Sequence, residues 1–435
     1  MLGESETIVA ERASRFGIQR VHRDAGAMAL SSIANAALGA AFWAFAAKFI
    51  SPQQLGVMTA VLAVIVAVGG VLASGIGDAY TALLPAAGMA RQRVYRRGQR
   101  VFMVLGTAAA VIGAIATVLV LPEVKDSAGV ALVVAIGIVL WAAFNLQNCT
   151  MISIGRASWV PAASLVLGVG KIVLLPVFAF MVGWHSVELA VVIAVGAIVA
   201  VLRPAIGRII ATGDGLSAVA TMSEERALSE FSRVVVRTIA LSALGLGVLT
   251  LTPFLVTVFA GPRQGALFAL AFAIVSTIDF VAASMAVSLV VHGASAPEHA
   301  SAMARTILIR AAALTIVGTV ALIALVPTAL RMLNPAYGEM GALPTILILC
   351  AATVSRVAYI VWAALQQSRR RLRMPLIFNV IAAVLLFAIM PSLCHAYGAV
   401  GGASAVLIHQ VVLSVLAGVH TLISRQPRKT ARDAT

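Results

Sequence analysis

Residues 56–77 read GVMTAVLAVIVAVGGVLASGIG, 22 positions without a charge. About 20 apolar residues carry an α-helix across the hydrocarbon of a bilayer, so this stretch spells a membrane span. Working outward from it, eleven more stretches of similar character are bounded by charges, Pro or Gly: 28–50, 101–121, 129–151, 160–182, 188–209, 234–259, 266–291, 306–327, 343–364, 375–394 and 399–422. Segments facing lipid must satisfy their own backbone hydrogen bonds, and the short alternating strands of a barrel are missing. All twelve therefore read as helices.

Composition agrees. Of 435 residues, 61% are hydrophobic and 11% charged, with a mean hydropathy of +1.03, against about 45–50% apolar and about 25% charged in soluble domains. A water-soluble protein is excluded. The net charge of +15, from 31 Lys and Arg against 16 Asp and Glu, has a membrane explanation that needs no nucleic acid. Twenty-five of the 31 fall on the N-terminal side of the spans, in groups such as Arg12–Arg23, Arg91–Arg100, Arg203–Arg237 and Arg369–Arg373. The opposite side has only Lys48, Lys125, Arg263 and Arg331. By the positive-inside rule both termini lie in the cytoplasm.

The organisation expected is a cytoplasmic tail (1–27), a six-helix lobe (28–209), a cytoplasmic linker (210–233), a second six-helix lobe (234–422) and a tail (423–435). The first 27 residues mix Glu4, Glu6, Glu11 and Asp24 with four arginines and lack an apolar core, so they do not read as a cleaved signal peptide. Within the linker, Ser223 before Glu224 and Glu225 suits the start of a short surface helix. A weak repeat supports the halves: span 4 leads through Arg156 to Pro161, and span 10 through Arg369–Arg373 to Pro375. The reading is an all-α integral membrane protein, two six-helix lobes around a central cavity.

Catalytic motifs are missing. Gly170-Lys171 resembles the end of a phosphate-binding loop, but position 165 is Val, Ile172 follows, and the pair sits in an apolar helix. No H-E-x-x-H occurs, the seven histidines form no ligand set, and Cys149, Cys350 and Cys394 are odd in number and widely spaced. Neither an enzyme nor a metal or cofactor site is expected.

What remains are ionisable groups at membrane depth, each costing about 2.5–3.5 kcal/mol on insertion scales and so expected to face a cavity or a partner. Lys171, Asp279 and Arg356 fall near the middle of spans 5, 8 and 10. One reading is a water-filled cavity between the lobes in which Lys171 and Arg356 hold an anionic group such as a pyrophosphate. The other is a fixed ion pair of Asp279 with either base. Asp279 is also a candidate for proton or Na+ coupling. Asp78 near the cytoplasmic end of span 2, Asn35 in span 1 and Asn145 in span 4 are further polar candidates; Asn145, Gln147, Asn148, His409 and Gln410 read first as helix-to-helix contacts. Gly398 and Gly402 form a small-residue pair suited to close helix approach. The basic loops 91–100 and 369–373 suit anionic lipid headgroups.

Twelve spans, the short loop Ser51-Pro52-Gln53-Gln54-Leu55-Gly56, the loop Asn334-Pro335-Ala336-Tyr337-Gly338 and the run Ala396-Tyr397-Gly398-Ala399-Val400-Gly401-Gly402-Ala403 resemble Wzx-type polysaccharide flippases, of the multidrug/oligosaccharidyl-lipid/polysaccharide exporter superfamily. The resemblance implies that a polyprenyl-pyrophosphate-linked oligosaccharide is turned between leaflets of a bacterial inner membrane by alternating access, with glycan polymerase or glycosyltransferases as further partners. The two central cations suit a neutral glycan on one pyrophosphate better than an acidic one. The competing readings are an ion-coupled drug exporter, which would favour acidic cavity residues, a non-transporting envelope scaffold and a membrane glycosyltransferase, the last disfavoured by acid-poor outer loops.

Overall fold

The computed structural model describes residues 38–125, 127–183, 185–213, 222–295, 299–333, 340, 342–369 and 371–425. Asn35, the tail 1–27 and the loop 334–338 lie outside them.

The described residues form helices joined by short connectors. In chain order these are α1 (Leu38–Phe49), α2 (Pro52–Leu83), α3 (Arg91–Val120), α4 (Ala128–Ser153), α5 (Trp159–Met181), α6 (Ser186–Thr212), α7 (Glu224–Thr250, continued by Thr252–Ala260), α8 (Pro262–Ser295), α9 (Ala300–Leu333) and α10 (Ala342–Ser368). The run Arg373–Arg425 breaks at Gly398 into α11 (373–397) and α12 (399–425). Ten helices among the described residues are long and apolar enough to cross a membrane, counting Arg373–Ser424 once, and α1 is a shorter apolar helix. The protein is a multi-pass helical membrane protein. Large apolar side chains such as Val104, Ile112, Val173, Phe180, Val317 and Val320 stay exposed on α3, α5 and α9, as a lipid-facing surface requires.

Two boundaries differ from the sequence reading. The linker expected over 210–233 is shorter, because α6 runs to Thr212 and α7 already begins at Glu224. A helix does open after Ser223, its N-cap, but it runs on into the span and is not a short surface helix. The residues from Glu224 to Arg237 carry charges on one face and Ala227, Phe231 and Val235 on the buried one, so a hydropathy window reads as linker what packing makes helix. Spans 11 and 12 have no loop between them, only Gly398 at φ 58°, ψ −132°, a left-handed φ that favours glycine. Gln264 of α8 accepts the Ala399 amide at 3.1 Å and satisfies the start of α12. Gly402 lies against Val256 and Phe268, the close approach its small size suits.

In the first half α2 packs on α4 and α3, and α4 on α6; in the second, α10 packs on α8, α9 and the run containing α12. The fourth helix of each half is thus its hub. The halves meet along α2, which also packs on α7 and α8. Away from the basic loops, Gly56 touches the backbone of Pro262, where a methyl group would collide with the Pro262 carbonyl, and Thr257 donates to the Gly56 carbonyl at 3.4 Å. At the basic end, Tyr80 is buried between Tyr95 and Phe231, ring centroids 5.6 and 6.2 Å away. Arg93 pairs with Glu224, and Arg97 donates to Ser232 at 3.2 Å. The two halves are therefore in contact at both ends of α2.

Candidate functional site

The second half holds an ion pair. Arg356 on α10 and Asp279 on α8 meet at 2.6 Å between Nη1 and Oδ2, with side chains 27% and 19% exposed. A charge-assisted bond of this length offsets part of the cost of placing both groups at membrane depth. Ser276, Thr353 and Gln410 border the pair in a cavity of about 20 Å³, room for about one water. Gln410 Oε1 has no partner among the described residues and is the natural acceptor for such a water. His409 beside it is buried, neither ring nitrogen finding a described partner.

The first half is different. Lys171 on α5 points its ammonium at the Phe42 ring of α1, 4.9 Å from the centroid, within cation–π range. Trp43, Trp141, Leu167 and Val191 complete a pocket of about 70 Å³ without a carboxylate among its lining residues. Lys171 and Arg356 thus line separate pockets in separate halves, where one of the two sequence readings put both in a shared cavity. Of the two partners offered for Asp279, the structure selects Arg356.

No family model matches the sequence, and no curated protein does. Solved structures do. The chain superposes on the lipid II flippase MurJ in an inward closed conformation with a TM-score of 0.70 at 12% identity, over 90% of this chain and 87% of that one. An inward-facing multidrug resistance MATE transporter of the MOP superfamily gives 0.67 at 14%, over 90% and 94%. A MOP superfamily transporter from Pyrococcus furiosus, described as having a binding pocket of reversed polarity, gives 0.57 at 14%, over 92% of each chain. The chain shares the fold of these transporter structures.

On this frame the remaining candidates separate. Asp78 is exposed near the basic end of α2. Asn145 bonds back to the Trp141 carbonyl of its own helix at 2.9 Å, so it is not the interhelical contact expected of it. Gln147 is: its Nε2 reaches the Val199 carbonyl of α6 at 3.1 Å. Sequence reasoning missed Glu188, fully buried at the start of α6, with Oε1 2.6 Å from His185 Nδ1 and Oε2 without a described partner. His185 and Glu188 stand three residues apart at a helix start, a spacing that signals contact. That hydrogen bond holds the His185 pKa above its ordinary value, against partial burial.

Proposed function

We propose that the protein is a transporter that flips a polyprenyl-pyrophosphate-linked oligosaccharide across a bacterial inner membrane, for envelope or exopolysaccharide assembly. Both termini face the cytoplasm in this reading, and the halves rock about α2, α7 and α8. The observation that carries it is the charge of the two half-interiors. Arg356 is balanced by Asp279, whereas Lys171 faces aromatic rings with no carboxylate among the described residues lining its pocket. One uncompensated cation suits a cargo with a single anionic group. The cycle needs no catalytic residue or cofactor. Glycan polymerase and glycosyltransferases are the partners that would consume and supply such a cargo.

The test is flipping of a fluorescent lipid-linked oligosaccharide in proteoliposomes, read by quenching of the outer leaflet. Lys171→Met is expected to slow it about tenfold or more, equivalent to losing ~1.4 kcal/mol of cargo contact, with Lys171→Arg retaining activity. Equal rates in protein-free vesicles would end the reading. The second reading, an ion-coupled exporter of cationic drugs, is favoured by Glu188, a buried carboxylate with one oxygen free of described partners. It predicts drug efflux abolished by Glu188→Gln, with no flipping.

A further inference from the structure

One cavity is lined by helices of the second half alone. It has about 640 Å³ and sits at the basic end between α9, α10 and α12, within the roughly 300–1,000 Å³ typical of small-molecule sites. Arg305 of α9 and Arg369 and Arg371 after α10 line it, and no carboxylate does among the described residues. Arg369 is oriented by Ser301, to whose Oγ it donates at 2.7 Å. Below this cationic rim the walls turn apolar, with Leu308, Val361, Trp362, Leu365 and Leu422. Trp362 is held rigid by stacking on Phe378 at 5.1 Å and by the edge of His420 at 5.4 Å.

The first half gives the control. Its corresponding helices α3, α4 and α6 enclose a crevice of about 20 Å³ lined by Tyr95, Gln99, Gln147 and Arg203. Gln147 ties α4 to α6 there. The same scaffold is therefore sealed in one half and open in the other. Three guanidiniums around one opening repel each other until an anion sits among them, and an apolar floor beneath them demands an aliphatic occupant. The adjoining C-terminal residues contain Arg425, Arg428, Lys429 and Arg432, the wrong charge for the rim.

We propose that this cavity binds an anionic phospholipid, its phosphate held by Arg305, Arg369 and Arg371 and an acyl chain laid along Leu308, Leu365 and Leu422. The site is distinct from the pockets of Lys171 and Arg356.

Native mass spectrometry of the full chain released from detergent micelles tests it, with phosphatidylglycerol, phosphatidylcholine of the same acyl chains, and inorganic phosphate as probes. At about 1 kcal/mol per basic residue, phosphatidylglycerol should bind roughly 100-fold better than phosphatidylcholine. Arg305→Gln/Arg369→Gln/Arg371→Gln should remove most of that preference. Leu308→Trp, which fills the floor and keeps the arginines, should weaken phosphatidylglycerol binding as well, and Arg203→Gln in the first half should change nothing. A photoactivatable phosphatidylglycerol should crosslink to α9 or α12 of the unmutated chain, a readout independent of how the variants fold. The proposal is overturned by equal binding of the two lipids, by full competition from inorganic phosphate, or by crosslinks between the chain's own terminal segments and α9 or α12.

Discussion

The crevice between α3, α4 and α6 and the cavity between α9, α10 and α12 occupy corresponding places in the two halves, at about 20 and 640 Å³. The interiors differ in the same spirit: Arg356 is locked to Asp279, while Lys171 rests on an aromatic ring. Two halves of one architecture thus differ in how their interiors are filled. Packing topology sets where a space can form, and single polar side chains decide whether it is sealed, neutralised or left charged.

The comparison breaks most severely at the ion pair. Arg356→Met should leave Asp279 stranded and cost about 3–5 kcal/mol, whereas Arg356→Met/Asp279→Leu should recover most of it; thermal unfolding in micelles reads both. If the double variant is no better than the single one, the second-half interior is not governed by pairing. Next comes the contact between halves. Gly56→Val should force α2 off Pro262 at a cost of about 1–3 kcal/mol, seen as lowered thermal stability and as faster thiol labelling of Thr257→Cys, a position otherwise buried. Gln147→Leu sharpens the comparison directly. Loss of its bond to Val199 should cost roughly 0.6 kcal/mol and open the first-half crevice toward the size of its counterpart, measured by lipid uptake.

A pH effect is smaller. Because the His185 pKa is raised in the folded chain, its stabilising contribution is complete below the unfolded value of about 6.5. It is lost as pH rises through the raised folded value. His185→Gln should flatten the stability-versus-pH curve in that window. Smallest is Arg93→Ala: its pair with Glu224 is exposed on the arginine side, so the change should be about 0.2 kcal/mol.

How much of this could be read from the chain follows from the physics of each signal. Helices and their number announce themselves because a bilayer demands about 20 apolar residues per crossing. Asp279, Lys171 and Arg356 stand out for the same reason, as charges within such runs. Their partners do not, since Asp279 and Arg356 are 77 positions apart and only helix packing brings them together. That the helix after Ser223 runs on into the span was hidden by its charged face, and Glu188 by its place at a span boundary, where a carboxylate looks solvated. The large cavity has no local signature beyond the arginines after α10, for a gap between three helices is a property of their spacing.

The corner at Gly398 sets how much the chain can be edited. Ordinary loops accept extra residues cheaply, each doubling of length costing about 0.6 kcal/mol. Here α11 passes into α12 through one non-helical residue, and the next amide is already claimed by Gln264 of α8. There is no slack to lengthen. An inserted residue must separate the two helices or release α12 from α8, so epitope tags and topology reporters placed at this corner would perturb the assembly they are meant to report.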